Sequence, residues 1–158
     1  MPDDSALRAH LLELLRGGHA HTTFDDAVRD LPTDLAGVRP EGSPHSAWEL
    51  VEHIRIAQED ILRFSQSASH VSPPWPKGYW PKSPQPKDAA QWAASVEAAR
   101  RDLAEFEGMV RDPSRDLFRK FAWGEGQTLL REAMLIADHN AYHVGQLVIV
   151  RRLLGAWG

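Results

Sequence analysis

Cysteine is absent from this sequence of 158 residues. The absence excludes disulfide scaffolds, thiolate metal ligands and a cysteine nucleophile, because each of these needs a thiol side chain. Any sulfur nucleophile that this protein uses must therefore come from a separate thiol molecule.

The sequence also lacks a strong excess of one charge. It has 18 Lys and Arg residues against 22 Asp and Glu residues, which gives a formal net charge of -4 at pH 7. Proteins that bind nucleic acid or an anionic membrane surface usually carry an excess of basic residues. We therefore expect no nucleic-acid partner and no membrane partner.

Long hydrophobic runs are missing as well. The longest strongly apolar stretch covers residues 147–150, whereas a membrane-spanning helix needs roughly 20 apolar residues. The first residues are acidic and lack the basic and apolar segments of a signal peptide. The sequence thus predicts a cytoplasmic protein.

Length and composition favour one globular domain over residues 1–158. Apolar residues make up 42% and charged residues 25% of the chain, which is typical of a packed domain. A chain of 158 residues is too short for two ordinary domains. The glycine fingerprints of Rossmann and phosphate-binding loops are missing, so a nucleotide-binding sheet is not expected.

Four stretches have helical periodicity and predict an all-α fold of four helices. They cover residues 7–28, from 43–46 to 67, from 87–88 to 112, and from 127–128 to 154. Gly17 and Gly18 lie inside the first stretch and predict a kink or a close helix contact. At the start of the second, Ser46 and Glu49 have the spacing of a capping box.

A proline-rich segment, residues 72–86, separates the second and third helices. Its prolines exclude regular helix and central strand, so we expect a long ordered loop or lid. Trp75, Tyr79 and Trp80 lie in this segment, and we expect them to pack on the bundle or to wall an apolar pocket. The irregular stretch before the fourth helix holds three further aromatic residues that we expect to pack, Phe118, Phe121 and Trp123.

Two histidines interrupt the apolar seam of the fourth helix. His139 and His143 are four residues apart, which places both imidazoles on one helical face within reach of one metal ion. His53 lies on the inward edge of the second helix, and helix bundles build metal sites from facing helices. Three histidines leave a coordination position open, and zinc, nickel, iron and manganese all accept such ligands. The alternative is a set of hydrogen-bonded pocket histidines without a metal.

Four other polar residues are candidates for the surroundings of this site. Glu49 and Asp138 are close in sequence to the histidines and could orient an imidazole, although solvated charges on a helix face are more common. His21 and His45 could line the same cavity or serve as structural histidines. His10, His19 and His70 have no supporting pattern and are assigned to the surface. No Glu-x-x-His and no His-Glu-x-x-His motif occurs, which argues against a ferritin-like di-iron site and a helix-borne metalloprotease.

Three segments resemble the DinB-like family, also called the DinB/YfiT-like metalloenzymes. Residues 138–155, DHNAYHVGQLVIVRRLLG, are similar to the last helix of that family. Residues 46–54, SAWELVEHI, are similar to its second helix with a metal-binding histidine, and residues 129–133, LLREA, to the approach to the histidine pair. The resemblance extends over essentially the whole chain.

The resemblance implies an antiparallel four-helix bundle with long crossing loops. It also implies a divalent metal held by His53, His139 and His143, a ligand pocket beside it, and a homodimer. Relatives include S-transferases and an isomerase that depend on a low-molecular-weight thiol. We therefore expect a metal-dependent enzyme for a small-molecule substrate, with thiol transfer ahead of hydrolysis. The alternative is a non-catalytic bundle that binds a small ligand or a partner.

Overall fold

The computed structural model describes residues 3–158, and these form six α-helices. The helices are α1 (Ser5–Arg16), α2 (Phe24–Val28), α3 (Thr33–Ala36), α4 (Ala47–Gln66), α5 (Ala89–Arg111) and α6 (Leu129–Leu153), with a short 3-10 helix at Lys77–Tyr79. No strand is present in this part of the chain, where the one β-bridge joins Lys120 and Thr128. The all-α bundle predicted from the sequence is confirmed.

Four of these helices, α1, α4, α5 and α6, pack around one core. Side-chain contacts fix their directions. Ser95 and Glu105 of α5 contact Glu52 and Gln66 of α4 in ascending order, so α4 and α5 are parallel. Helix α4 runs antiparallel to α6, and α1 antiparallel to α5. The bundle is therefore antiparallel in only two of its four neighbouring helix pairs.

The parallel pair α4 and α5 requires a long return loop. Helix α4 has 20 residues and is thus about 30 Å long, and the chain must travel back along that length before α5 can begin. Residues 67–88 make this return, and their prolines favour an extended backbone. The loop consequently passes beside the middle of α4, where His53 lies.

The buried apolar residues form two clusters along the bundle. The first lies around Leu50, Ile54 and Leu147, and the second around Leu62, Phe106 and Ile136. Between them, α4 and α6 carry buried polar residues, among them His53 and Gln58 on α4 and Asn140 and His143 on α6. A polar layer therefore crosses the middle of the bundle.

The first helix differs from its prediction over residues 7–28. Helix α1 ends at Arg16, because Gly17 and Gly18 have φ values of 69° and 92°, whereas an α-helix needs about -63°. The chain leaves the helix there and begins the short helix α2 at Phe24. The glycines end the helix and do not kink it, and the one-turn helix α3 that follows has no counterpart in the sequence prediction.

Three aromatic residues expected to pack are exposed. Trp75 is 79% exposed, Phe118 is 60% exposed and Trp123 is 41% exposed. Trp75 contacts Tyr79 edge to face within the loop but does not enter the core. Trp123 keeps contact with the bundle, because its Nε1 donates to the Phe64 carbonyl and its ring stacks on Phe121.

None of the helices in residues 3–158 is both long enough and apolar enough to cross a bilayer.

The capping box at the start of α4 is confirmed and yields a stability prediction. Ser46 Oγ accepts from Glu49 N–H and also donates to the Pro84 carbonyl at 2.6 Å, so it joins the helix to the return loop. We expect Ser46→Ala to lower the free energy of unfolding by about 2 kcal/mol, because α4 loses its N-terminal cap and the Pro84 carbonyl loses its hydrogen-bond donor.

The matched control is Asp88→Ala. Asp88 caps α5 by accepting from Gln91 N–H, and this contact is exposed. Its loss should cost about 1 kcal/mol. Urea unfolding of both variants measures the difference. Equal losses would show that the Ser46 contact to Pro84 adds no stability.

A second prediction concerns Glu132, which is 2% exposed on α6. Burial raises the pKa of this carboxyl, and Arg131 acts in the opposite direction. The folded protein thus holds the proton more tightly than the unfolded chain, and the Glu132 contribution to stability falls as the pH rises through the folded pKa. We expect the stability of Glu132→Gln relative to wild type to rise as the pH increases above the ordinary range of a Glu carboxyl, measured as the difference in melting temperature. A constant difference would contradict this assignment.

Candidate metal centre

Three histidines predicted from the sequence lie together in the polar layer. His53 comes from α4, and His139 and His143 come from successive turns of α6. Each offers a ring nitrogen, and these three nitrogens lie within 4.8 Å of one another. The ring centroids are 4.5–4.8 Å apart. His53 and His143 are buried, and His139 is half-buried.

Hydrogen bonds at Nδ1 orient the imidazole rings of His53 and His143. His53 Nδ1 lies 2.8 Å from the Tyr79 carbonyl oxygen, which can only accept, so the proton is on Nδ1. His143 Nδ1 lies 2.7 Å from the side-chain oxygen of Gln146. Both contacts leave Nε2 as the ring nitrogen available to a metal ion, and the Nε2 of His53 faces that of His139. This is the outer hydrogen-bond pattern typical of metal-binding histidines.

The spacing of the nitrogens suits a shared metal ion. The Nε2 atoms of His53 and His139 are 3.1 Å apart. Two imidazole nitrogens bound to one ion at about 2.0–2.1 Å are separated by about 2.9–3.4 Å, depending on the angle between them. The same distance also allows an N–H···N hydrogen bond in the absence of a metal. The donor set therefore fits a divalent ion that accepts imidazole.

The histidines are neutral at physiological pH. Burial, together with the neighbouring His53, lowers the pKa of His139 to about 4. Burial and the neighbouring His139 likewise lower the pKa of His143 to about 4, and burial lowers the pKa of His53. A neutral imidazole has the free lone pair that a metal ligand needs. No proton has to be removed before a metal ion can bind at pH 7.

Trp80 fixes the plane of the His53 ring. The two rings are parallel to within 1° and their centroids are 4.0 Å apart. On the other face of the stack, His45 lies 4.0 Å from the Trp80 ring. The return loop therefore holds His53 twice, through the Tyr79 carbonyl and through Trp80. His45 contacts the centre through this stack.

A cavity of about 470 Å³ lies next to the three histidines. We call it the front cavity. Trp75, Tyr79 and Tyr142 line it together with the carboxylates of Asp60 and Asp138. Tyr79 donates its hydroxyl proton to Asp60 at 2.7 Å, and burial and this hydrogen bond raise the pKa of Tyr79 to about 12. Tyr79 thus keeps its proton at the cavity wall.

Two of the residues proposed for the surroundings lie elsewhere. Glu49 is occupied by the capping box and by a salt bridge with Arg39, and it makes no hydrogen bond to a histidine. His21 is exposed and lines a different cavity, where its Nδ1 contacts the Thr22 carbonyl. Asp138 lines the front cavity, but its side chain is not hydrogen-bonded to His139 or His143.

The sequence prediction missed several contributors to this site, including Tyr142 in the wall of the front cavity. Gln146 lies three residues after His143, and Asp60 lies seven after His53, so helical spacing could have identified both. His70, assigned to the surface, lies 2.7 Å from Asp60 and is 19% exposed. The Tyr79 carbonyl is a backbone group on an irregular loop, and no side-chain pattern could have predicted its contact with His53.

Comparison with known proteins identifies the family. The chain has no significant match among curated proteins or among solved structures. A family model described as the DinB superfamily matches residues 18–147, which is most of the chain and includes all three clustered histidines. This protein belongs to the DinB superfamily.

Proposed function

We propose that this protein is a metal-dependent enzyme whose divalent ion is held by His53, His139 and His143. The observation that carries the proposal is the convergence of three neutral imidazoles beside an open cavity. Membership of the DinB superfamily supports the same assignment. Zinc, nickel, iron and manganese all suit imidazole ligands.

The number of ligands supports a catalytic role over a structural one. Structural zinc sites are closed by four protein ligands, whereas catalytic sites keep a position for water or substrate. Among the described residues, the cluster of candidate ligands contains three histidines and no carboxylate or fourth histidine. The front cavity provides the space for a substrate next to the remaining position.

We propose thiol transfer as the reaction. A bound divalent ion would favour the thiolate form of a thiol or lower the pKa of water to about 7. In the transfer, the thiol sulfur forms a bond to an electrophilic carbon, the bond from that carbon to its leaving group breaks, and the thiol proton is lost to solvent. The thiol is external, because the chain has no cysteine. The loop contributes by keeping the His53 proton on Nδ1.

The walls of the front cavity indicate which thiol and electrophile fit. Trp75, Tyr79 and Tyr142 favour apolar or aromatic groups. No Lys or Arg of residues 3–158 lines the cavity, while Asp60 and Asp138 do. Apart from the proposed divalent ion, a carboxylate or phosphate on the substrate would meet no cationic partner and would face these two acids. We therefore propose neutral or amine-bearing substrates.

Hydrolysis is the second candidate, and Asp138 is the observation that favours it. This acid is exposed and lines the front cavity next to His139, where it can accept a proton from water.

We also propose a cytoplasmic homodimer. The support is an apolar strip on the outer face of α6, where Tyr142, Ile149 and Leu153 are each more than half exposed. An exposed apolar patch on a helix is typical of an interaction surface.

The metal assignment predicts the metal content of the purified protein. Wild type purified without chelator, or reconstituted with zinc, should hold about one equivalent. His53→Ala and His143→Ala should lose it while keeping helical circular dichroism. His10→Ala is the matched control, because His10 is exposed and lies outside the cluster, and it should keep the metal. Elemental analysis gives the result. A wild type that stays metal-free after reconstitution with zinc, nickel, manganese and iron salts would overturn the assignment.

The reaction assignment predicts metal-dependent turnover with a neutral thiol. We expect the loaded protein to conjugate mercaptoethanol to chlorodinitrobenzene, with release of chloride. His53→Ala should lower the rate at least about 100-fold. Thioglycolate is the matched anionic thiol. Its ratio of enzymatic to uncatalysed rate should be lower than the ratio for mercaptoethanol, because its carboxylate is repelled by Asp60 and Asp138.

The other outcomes separate the remaining candidates. Metal-dependent cleavage of nitrophenyl acetate without any thiol would favour hydrolysis. Tight binding of the electrophile without turnover would favour a ligand-binding bundle. Equal relative rates for the two thiols would contradict the charge argument while leaving the metal assignment intact.

A further inference from the structure

Tyr79 contacts α4 at two points that lie two helical turns apart. Its carbonyl oxygen accepts from His53 Nδ1 at 2.8 Å, and its hydroxyl donates to Asp60 Oδ2 at 2.7 Å. His53 and Asp60 lie on one face of the helix, and their positions in the chain place them about 10 Å apart along its axis. Tyr79 therefore lies along α4, and the two ends of this residue are held by two different side chains.

The backbone around Tyr79 is held by local hydrogen bonds. Lys77–Tyr79 forms a turn of 3-10 helix, in which Gly78 N–H donates to the Pro74 carbonyl at 2.7 Å and Tyr79 N–H donates to the Pro76 carbonyl at 3.2 Å. Proline also restricts the backbone of this turn, because its ring fixes φ. The position of the Tyr79 ring and the position of its carbonyl are therefore coupled.

Asp60 binds the return loop at a second residue as well. Its Oδ1 accepts from His70 Nε2 at 2.7 Å, so the two carboxylate oxygens hold His70 and Tyr79 separately. The side chains of Asp60 and His70 are 12% and 19% exposed. Residues 71–78, between the two contacts, are mostly exposed. Asp60 thus closes the base of an exposed segment whose ends are near each other, as in an Ω-loop.

Both contacts from the loop to His53 come from adjacent residues. The Tyr79 carbonyl accepts from Nδ1, and the ring of Trp80, the next residue, stacks on the imidazole at 4.0 Å. Asp60 fastens Tyr79 to α4 through the hydroxyl. The position of both contacts to His53 therefore depends on Asp60.

Asp60 can influence a metal ion by two routes. The ligand atoms that lie within 4.8 Å of one another belong to the three histidines, and Asp60 is not among them. Its oxygens accept from His70 and Tyr79, and its side chain lines the front cavity. One route is the hydrogen bond to Tyr79, and the other is the negative charge next to the centre. Only the first route requires the Tyr79 hydroxyl.

We propose that Asp60 is a positioning residue for the candidate metal centre. By holding the Tyr79 hydroxyl, Asp60 keeps the Tyr79 carbonyl on His53 Nδ1 and so leaves His53 Nε2 available to the ion. This role rests on the proposed metal-dependent function. Outer hydrogen-bond partners of metal-binding histidines typically change metal affinity by about 10–100-fold. Asp60 acts one contact further out, so the low end of this range is expected.

The first test measures the zinc dissociation constant of the full chain by competition with a coloured chelator. Asp60→Ala and Tyr79→Phe should each weaken zinc binding about tenfold, because they remove the acceptor and the donor of the same hydrogen bond. The double variant should bind zinc as well as the weaker single variant, since both changes break one contact. Additive losses would show that the two residues act independently and would overturn the proposal.

Asp60→Asn separates the hydrogen bond from the charge. The amide oxygen can still accept from the Tyr79 hydroxyl, whereas the negative charge is lost. This variant should therefore bind zinc nearly as tightly as wild type. A loss as large as that in Asp60→Ala would mean that the carboxylate attracts the ion by its charge, and the proposal would be wrong.

Ser46→Ala is the matched control for the stability of the return loop. Ser46 fastens the same loop to α4, but through the Pro84 carbonyl. Its substitution should lower the melting temperature and leave the zinc dissociation constant unchanged. If Ser46→Ala weakens zinc binding as much as Asp60→Ala does, any loosening of the loop has this effect, which contradicts a specific role of Asp60.

The metal-free protein gives a second readout, which separates this role from the proposed function. In NMR spectra of histidine-labelled full chain, His53 should carry its proton on Nδ1, and Asp60→Ala and Tyr79→Phe should move that proton toward Nε2. A wild type that binds none of zinc, nickel, manganese and iron would refute the proposed function, while the tautomer would still report on the positioning of His53. An unchanged Nδ1 tautomer in both variants overturns the role of Asp60.

Discussion

The parallel packing of α4 and α5 is the constraint on which the candidate centre depends. Two consecutive helices that run in the same direction need a connection as long as the helices themselves, and residues 67–88 provide it. On its way back, this connection passes His53 and supplies the Tyr79 carbonyl and the Trp80 ring. An antiparallel α4 and α5 would need only a short turn, and both contacts would be absent. The direction of two helices thus determines the orientation of one imidazole.

The polar layer in the middle of the bundle is unfavourable for stability by itself. Histidines, a glutamine and an asparagine occupy positions between two hydrophobic clusters where apolar side chains would pack without the cost of desolvation. Most of this cost is offset by specific partners, such as the Ala99 carbonyl for Gln58 and the Tyr79 carbonyl for His53. Asn140 Oδ1 remains an exception. Such exceptions in a well-packed core are commonly found at functional sites.

Periodicity and spacing explain how much of this protein could be predicted from its sequence. The three long helices α4, α5 and α6 follow from strong apolar patterns and from caps at Ser46, Asp88 and Thr128. The pairing of His139 with His143 follows from helical geometry, and the structure also brings His53 to them. The early end of α1 was missed because an apolar pattern continues through Gly17, where the backbone conformation changes. The Tyr79 carbonyl could not be predicted, since every residue carries a carbonyl and only tertiary structure selects one.

The candidate centre also has a consequence for the order of folding. His53 and His139 are separated by 86 positions in the chain, and Tyr79 lies 26 positions after His53. Contacts between such distant segments form with a large loss of chain entropy, because a long loop must close. They therefore tend to form after local structure. Helix α4 can therefore be complete while its histidine still lacks both partners. In such an intermediate a metal ion would meet either His53 alone or the His139 and His143 pair of α6, and it would meet three converging ligands only in the native bundle. Capture of the ion would therefore select molecules whose last helix has docked.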